Sequence, residues 1–248
     1  MVDRPRVRTG IEGLDNALNG GIPLGNVVLL TGSCGTGKTT LSMEFLANGA
    51  IRDEVGVFIS VTEPSYKLLD NLKTYDFFDG SLITKRKLFI FDLNAIYEKL
   101  GLENTDYSLD DVDALIRAIS DIVTKLQAKR VVIDSITAIC SHLQTEGRIR
   151  DFIFKLGETL TAMGVTTLLI SEIEPDSAKY SMYGVEEAIA DGIIVLGNLE
   201  RRGDLLRTLQ IVKMRGTPHS RAKYVMDLTP HGVILVPLLK WGTSFKLA

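Results

Sequence analysis

The sequence predicts an α/β fold: a mostly parallel central sheet with helices on both faces and an antiparallel C-terminal extension. Short runs rich in Val and Ile alternate with longer segments of helical period, which is typical of parallel strands joined by helices. Hydrophobic residues make up 45% and charged residues 24% of the 248 residues, as in an ordinary globular domain. Because no internal repeat or linker interrupts the pattern, we expect a single domain over residues 1–248.

The parallel part of the sheet is predicted from short apolar runs. They span residues 27–31, 55–60, 88–92, 130–134 and 166–171. Two of the intervening segments carry apolar residues at three- and four-residue steps, which predicts helices over 112–126 and 149–163. Ser108 and Asp111 form a capping-box pattern before the first helix, and Gly164 is placed to end the second.

The pattern changes near residue 191, where strand-like runs follow one another without intervening helices. These runs span 191–199, 205–213, 223–228 and 232–236, and short polar turns join them. We expect them to extend the sheet with antiparallel strands.

Charge and composition exclude several classes of protein. Lys plus Arg is 28 and Asp plus Glu is 31, a net charge of -3, which argues against coating nucleic acid by bulk positive charge. Cys34, Cys140 and the three histidines lack the spacing of metal ligands or of a disulfide framework, which favours a reducing compartment. No apolar stretch reaches the ~18 residues of a membrane span, and the first ten residues are too charged for a signal peptide. We therefore expect a cytoplasmic protein without membrane contact.

A phosphate-binding loop is the strongest motif in the chain. The stretch GSCGTGKT at 32–39 matches GxxxxGK[ST] and lies between an apolar run and a helical segment, as the motif requires. We expect backbone N–H groups to surround phosphate oxygens, Lys38 to reach the β- and γ-phosphates, and the Thr39 hydroxyl to bind Mg²⁺. The expected nucleotide-binding residues are Gly32, Ser33, Cys34, Gly35, Thr36, Gly37, Lys38, Thr39 and Thr40. The alternative is a glycine-rich turn with a chance lysine.

A carboxylate is expected beside this loop, at the end of another strand. Asp134 ends the run 130–134 and is placed to hold Mg²⁺ through water, although an Asp in that position can also cap a helix. No NKxD-like guanine-recognition motif follows, which favours ATP over GTP. ATP and Mg²⁺ are therefore the expected cofactors.

Further segments carry a family resemblance. They are RTGIEGLD at 8–15, the turn GGIP at 20–23, and KMRGTPH at 213–219. From Thr9 to about Val236 the chain resembles the RecA superfamily, and within it the archaeal KaiC-like proteins, also described as RadA paralogues. The resemblance implies a RecA-like P-loop NTPase fold that binds ATP.

The resemblance also implies an assembly. Such proteins often form rings or filaments with the nucleotide between neighbouring subunits, so a homo-oligomer with ATP at its interfaces is expected. Lys213 and Arg215 take the positions that reach the γ-phosphate of the adjacent subunit, where cations neutralise charge that develops during phosphoryl transfer. The alternative is that both are solvated charges at a strand end.

The chain departs from the family at the expected catalytic base. Relatives usually carry two consecutive glutamates after the second strand, with the first as the favoured base, and Thr62 stands there in this chain. Since a threonine cannot accept a proton at neutral pH, we expect Glu63 to act as a poorer base and hydrolysis to be slow. Alternatively, Glu63 caps the next helix and the search moves to Glu172. Pro230 also stands where relatives tend to have an acid near the adenine, which leaves the adenine contacts unassigned.

Two functions remain open from the sequence. The first is a slow ATPase that binds single-stranded DNA as a recombination or DNA-repair accessory with recombination proteins as partners. Arg148 and Arg150 are its candidate DNA contacts. The second is a nucleotide-dependent switch or adaptor that binds protein partners, with Arg148 and Arg150 on a solvated helix face. Another candidate basic patch consists of Arg201, Arg202 and Arg207.

Overall fold

The computed structural model of the chain describes residues 4–93, 112–143, 145–175, 177 and 179–238. The strands in these residues are β1 (Arg6–Val7), β2 (Ile22–Pro23), β3 (Val27–Gly32), β4 (Gly56–Ser60), β5 (Leu88–Asp92), β6 (Arg130–Asp134), β7 (Thr166–Glu172), β8 (Gly192–Arg201), β9 (Asp204–Met214), β10 (Lys223–Thr229) and β11 (Gly232–Pro237). The helices are α1 (Leu14–Ala17), α2 (Lys38–Ile51), α3 (Ser65–Leu72), α4 (Ser81–Thr84), α5 (Val112–Leu126), α6 (Ile136–Cys140), α7 (Glu146–Ala162) and α8 (Glu186–Ile189).

A central sheet contains strands β3 to β11 in the order β11-β10-β9-β8-β3-β7-β6-β4-β5. Strands β3 to β8 pair in parallel, and the apolar runs predicted for this part of the sheet all form strands. These strands are apolar along most of their length because helices cover both faces of the sheet. The predicted α/β fold with a mostly parallel sheet is confirmed.

The sheet changes direction after β8. This strand pairs in parallel with β3 on one side and antiparallel with β9 on the other, and β10 and β11 continue the antiparallel order. The predicted C-terminal extension is therefore confirmed.

The helices bury apolar side chains on both faces of the sheet. Leu41 and Phe45 of α2 pack on one face, and Ile119 of α5 and Phe152 of α7 pack on the other. Helix α5 covers the predicted span 112–126, while its predicted capping box at Ser108 and Asp111 lies outside the described residues.

Helix α7 begins three residues earlier than the periodicity of its apolar side chains predicts. The Thr145 hydroxyl caps it by accepting a hydrogen bond of 3.3 Å from the backbone N–H of Arg148. After its end, Gly164 has a φ of 70°, the left-handed conformation expected of a terminating glycine. None of the helices in the described ranges is long and apolar enough to cross a membrane.

Arg130, at the start of β6, is buried and joins three segments. Its guanidinium pairs with Glu54 and donates to the backbone carbonyls of Phe45 at 2.6 Å and Arg8 at 2.8 Å. It also lies 4.6 Å from the centroid of the Phe45 ring. A buried cation with these partners fastens α2 and the N-terminal segment to the sheet.

Candidate functional site

The strand order brings polar residues together at the carboxyl edge of the sheet. Strands β3, β7, β6 and β4 are neighbours, and they end at Gly32, Glu172, Asp134 and Ser60. Parallel strands end at the same edge, where ligands of α/β proteins commonly bind. A cavity of about 310 Å³ opens here, lined by residues of the phosphate loop together with Thr62, Glu63, Asp134 and Glu172.

The phosphate loop turns between β3 and α2. Gly35 and Gly37 have φ values of 77° and 93°, which side chains other than glycine rarely adopt. A Cβ on Gly37 would also lie 3.0 Å from Met226. Gly37 precedes α2, and no side chain caps that end of the helix, so its first N–H groups face the cavity edge without a side-chain acceptor. This is the backbone arrangement that phosphate oxygens require.

The ammonium of Lys38 folds back over the loop. It is only 8% exposed and donates to the carbonyls of Gly32 at 2.8 Å and Ser33 at 2.9 Å. Burial lowers the pKa of Lys38, while the carboxylates of Glu172 and Asp134 oppose that shift. The lysine is therefore a partly desolvated cation whose carbonyl contacts can be exchanged for phosphate oxygens.

Thr39 and Asp134 meet across the sheet edge. The Thr39 hydroxyl donates to Asp134 Oδ2 at 2.7 Å. Burial raises the pKa of Asp134, while the hydrogen bond from Thr39 and the charge of Lys38 oppose the rise. A hydroxyl and a carboxylate at this distance are the oxygen donors that suit Mg²⁺, so the residues present fit the expected ion.

Glu63 and Thr62 lie at the side of the cavity formed by β4 and α3. The Glu63 carboxylate is 3.9 Å from Lys67 Nζ and accepts a hydrogen bond of 3.4 Å from Asn71. The N-cap residue Pro64 makes no side-chain hydrogen bond to the first turn of α3, and the contacts of Glu63 with this helix are to the side chains of Lys67 and Asn71. Glu172 lines the same cavity from the end of β7, in register with Gly32.

Lys213 and Arg215 lie far from the phosphate loop of their own chain. The backbone N–H of Arg215 bonds to the carbonyl of Asp191, whose own N–H bonds to Val27 at the start of β3. At about 3.3 Å per strand residue, the loop after Gly32 lies roughly 16 Å further along the sheet. Neither side chain can span that distance, so they do not contact a phosphate in the same subunit.

Each of these cations is held by the segment around α8. Lys213 Nζ donates to the carbonyls of Glu187 at 2.9 Å and Ala190 at 2.7 Å. Arg215, whose side chain is 53% exposed, lies 3.4 Å from the Asp191 carboxylate. Lys213 is thus a positioned cation rather than a solvated strand-end charge, and the Arg215 guanidinium faces outward.

The candidate DNA contacts lie apart from the cavity. Arg148 and Arg150 are exposed in the first two turns of α7. Arg207, part of the second basic patch, instead donates from Nε to the Gly35 carbonyl at 3.1 Å. Sequence reasoning missed this contact because only the pairing of β9 beside β8 brings Arg207 to the loop.

The two cysteines differ in exposure. Cys34 is exposed in the phosphate loop and lines the cavity. Cys140 is buried, and burial raises the pKa of its thiol to about 12. Only Cys34 is open to a reagent in the folded protein.

The sequence matches one protein family and several curated proteins over most of its length. The family described as "ATPase: KaiC" matches residues 7–240. The circadian clock oscillator protein KaiC of Synechococcus elongatus is 36% identical over 94% of this chain, and circadian clock protein KaiC3 of Synechocystis is 32% identical over 94%. The chain spans 44% of the first of these relatives and 46% of the second.

A solved structure is similar over almost the whole chain. It is a KaiC-like protein from the hyperthermophilic archaeon Pyrococcus horikoshii OT3, with 37% identity and a TM-score of 0.82. The match covers 95% of this chain and 100% of the other.

Proposed function

Because the chain belongs to the KaiC family of ATPases, we propose that it binds ATP and Mg²⁺ at the phosphate loop, hydrolyses ATP slowly, and uses the bound nucleotide to control self-association. The observation that carries this proposal is the meeting of Lys38, Thr39 and Asp134 at one cavity edge. A cation, a hydroxyl and a carboxylate there match the needs of a magnesium-bound triphosphate.

The binding roles follow from the loop. The N–H groups of residues 32–40 surround the phosphates, and Lys38 exchanges its two carbonyl partners for β- and γ-phosphate oxygens. Thr39 and Asp134 hold Mg²⁺, which when bound neutralises charge on those oxygens.

Glu63 is proposed as the base. A water attacks the γ-phosphorus and gives its proton to the Glu63 carboxylate, while the bond to the bridging oxygen breaks and ADP leaves with the electron pair. Two features support a slow reaction: Thr62 supplies no carboxylate, and the Glu63 carboxylate is already engaged by Lys67 and Asn71.

Lys213 and Arg215 are proposed to act on the nucleotide of a neighbouring subunit. Their distance from their own loop supports action in trans, and the carbonyl contacts of Lys213 hold one of them in a fixed place. Hydrolysis would then depend on assembly, because these cations reach the γ-phosphate only in the associated state.

The test combines ATP titration with turnover measured over a range of protein concentrations. We expect saturable, Mg²⁺-dependent ATP binding and a turnover per subunit that rises with concentration. Arg215→Ala should keep ATP affinity in dilute solution and lose the rise, whereas Arg117→Ala, an exposed arginine on α5, should behave as the wild type. An equal loss at all concentrations would show that Arg215 does not act in trans.

A second candidate function is that of a RadA-paralogue-like recombination accessory that binds single-stranded DNA. The exposure of Arg148 and Arg150 on α7 favours it. Binding through these residues must weaken as salt rises, and the paired change Arg148→Glu with Arg150→Glu should abolish it. Salt-independent or unchanged binding would remove this candidate.

A further inference from the structure

We propose that a cavity between α7 and α8 receives helix α3 of a second copy of this chain, with Tyr66 as the inserted side chain. This α7–α8 cavity is lined by Phe154, Gly157, Glu158, Ala162, Ile189 and Asp191. The inference rests on the proposed function, because the action of Arg215 in trans fixes which surfaces of the two copies meet.

The cavity suits an aromatic side chain. Its volume is about 510 Å³, and small residues such as Gly157 and Ala162 leave room between α7 and the start of β8. Phe154, which lines this cavity, is 47% exposed, and its ring can stack on an inserted aromatic side chain. Large aromatic side chains in such pockets carry much of the binding energy of protein interfaces.

The cavity is continuous with the surface that presents Arg215. Asp191 lines the cavity and also lies 3.4 Å from the Arg215 guanidinium. When Arg215 reaches the γ-phosphate of a neighbour, the cavity must therefore lie against whatever surrounds that phosphate.

Helix α3 is the element beside the γ-phosphate site. Glu63 and Leu68 both line the phosphate cavity, and α3 begins two residues after Glu63. Tyr66 is 70% exposed on this helix, and its Cα lies at most about 10 Å from that of Glu63. Tyr66 is the exposed aromatic that lies nearest in sequence to the proposed base.

Charge favours the same pairing. Glu158 is exposed at the cavity rim, and the Lys67 side chain, next to Tyr66, is 65% exposed. An exposed carboxylate opposite an exposed ammonium aligns the two surfaces as they meet.

The experiment measures self-association by sedimentation with a non-hydrolysable ATP analogue and Mg²⁺. The variants are Tyr66→Ser, Phe154→Ser and the double change, with Ile51→Ser as control. Ile51 is 65% exposed at the end of α2 that lies away from the phosphate loop. Each single variant should raise the dissociation constant about tenfold. The double variant should raise the dissociation constant little more than either single change does, because both changes remove the same contact.

The readouts separate this inference from the proposed function. In dilute solution the Tyr66 and Phe154 variants should bind the ATP analogue like the wild type. Three results would overturn the pairing of α3 with the cavity. Both single variants could associate like the wild type, the effects could add in the double variant, or only Phe154→Ser could weaken association. If association of the wild type does not depend on nucleotide, the proposed nucleotide control of self-association is wrong, while the two single variants still decide the pairing and the titration decides ATP binding.

Discussion

The hydroxyl of Thr39 donates a hydrogen bond of 2.7 Å to the carboxylate of Asp134, a residue 95 positions later in the chain. The contact joins the helix of the phosphate loop to the end of β6. It keeps a hydroxyl and a carboxylate oxygen together where burial alone would favour the neutral form of Asp134. Magnesium affinity is therefore expected to depend on the charge at residue 134.

Asp134→Asn should abolish the tightening of ATP binding by Mg²⁺. An asparagine oxygen can still accept from Thr39, so the local geometry survives while the negative charge is lost. Titrations with a fluorescent ATP analogue, with and without Mg²⁺, measure this effect. Asp113→Asn, at an exposed position that pairs with Lys155, is the control, and an unchanged response to Mg²⁺ in Asp134→Asn would remove Asp134 from the metal site.

Lys38→Ala should abolish detectable ATP binding. The loop N–H groups alone cannot replace a compact cation that contacts two phosphates, and hydrogen bonds to charged groups contribute about 1.5–3 kcal/mol each. Equilibrium titration of the folded variant measures the loss, with Lys155→Ala on the surface of α7 as control. Unchanged affinity would mean that the loop does not hold the triphosphate.

Glu63→Gln should retain ATP and lose hydrolysis, because the amide keeps the shape of the side chain and removes proton acceptance. Thr62→Glu should raise turnover by up to the ~10²- to 10⁴-fold typical of a positioned base. Both are read from single-turnover phosphate release. Ordinary turnover by Glu63→Gln would shift the role to Glu172, for which Glu172→Gln is the matched variant.

A thiol reagent should block nucleotide binding by modifying Cys34, and ATP should protect against it. The thiol is exposed in the loop, so a bulky adduct occupies the space of the phosphates. Mass spectrometry of labelling rates with and without ATP tests this. Cys34→Ser should remove the reaction because Cys140 is buried, and labelling that ignores ATP would contradict the expectation.

Glu44→Gln should make the free energy of unfolding less dependent on pH between about pH 4.5 and pH 7. Burial raises the pKa of Glu44 from 4.5 to about 7, against hydrogen bonds from the Val233 N–H and Asn48 that favour the carboxylate. Between these pH values the folded state holds a proton that the unfolded state lacks. The free energy of unfolding should therefore fall as pH rises, by up to about 3 kcal/mol, and level off above pH 7.

Urea denaturation of the wild type and Glu44→Gln at pH 5, 6, 7 and 8 tests this. The difference between the two free energies of unfolding should change between pH 5 and pH 7 and level off above pH 7. Glu200→Gln, at an exposed position on β8, should show no such difference. A pH-independent gap between the wild type and Glu44→Gln would contradict the shifted pKa.

Local sequence features predicted the parallel strands well because buried β-branched runs tolerate few other structures. The loop motif likewise predicted that Thr39 and Asp134 would share a site. The contacts of Arg207 with Gly35 and of Glu44 with Val233 were not predictable from the sequence. Both depend on how the antiparallel strands pack against the loop and against α2, and a charged residue has the same local pattern whether it faces solvent or another segment.

The buried position of Arg130 restricts how helix α2 is expected to move. A Cβ added to Gly49 would lie 2.3 Å from Arg130 Nε, so α2 fits against this guanidinium with no space between them. The end of α2 opposite the phosphate loop is thereby packed closely against the Arg130 side chain of β6. We therefore expect α2 to keep its position on the sheet when the phosphates at its other end change. Movements that follow a change of nucleotide are then expected to begin in side chains that contact the loop, such as Arg207, which lies on the same strand as Lys213.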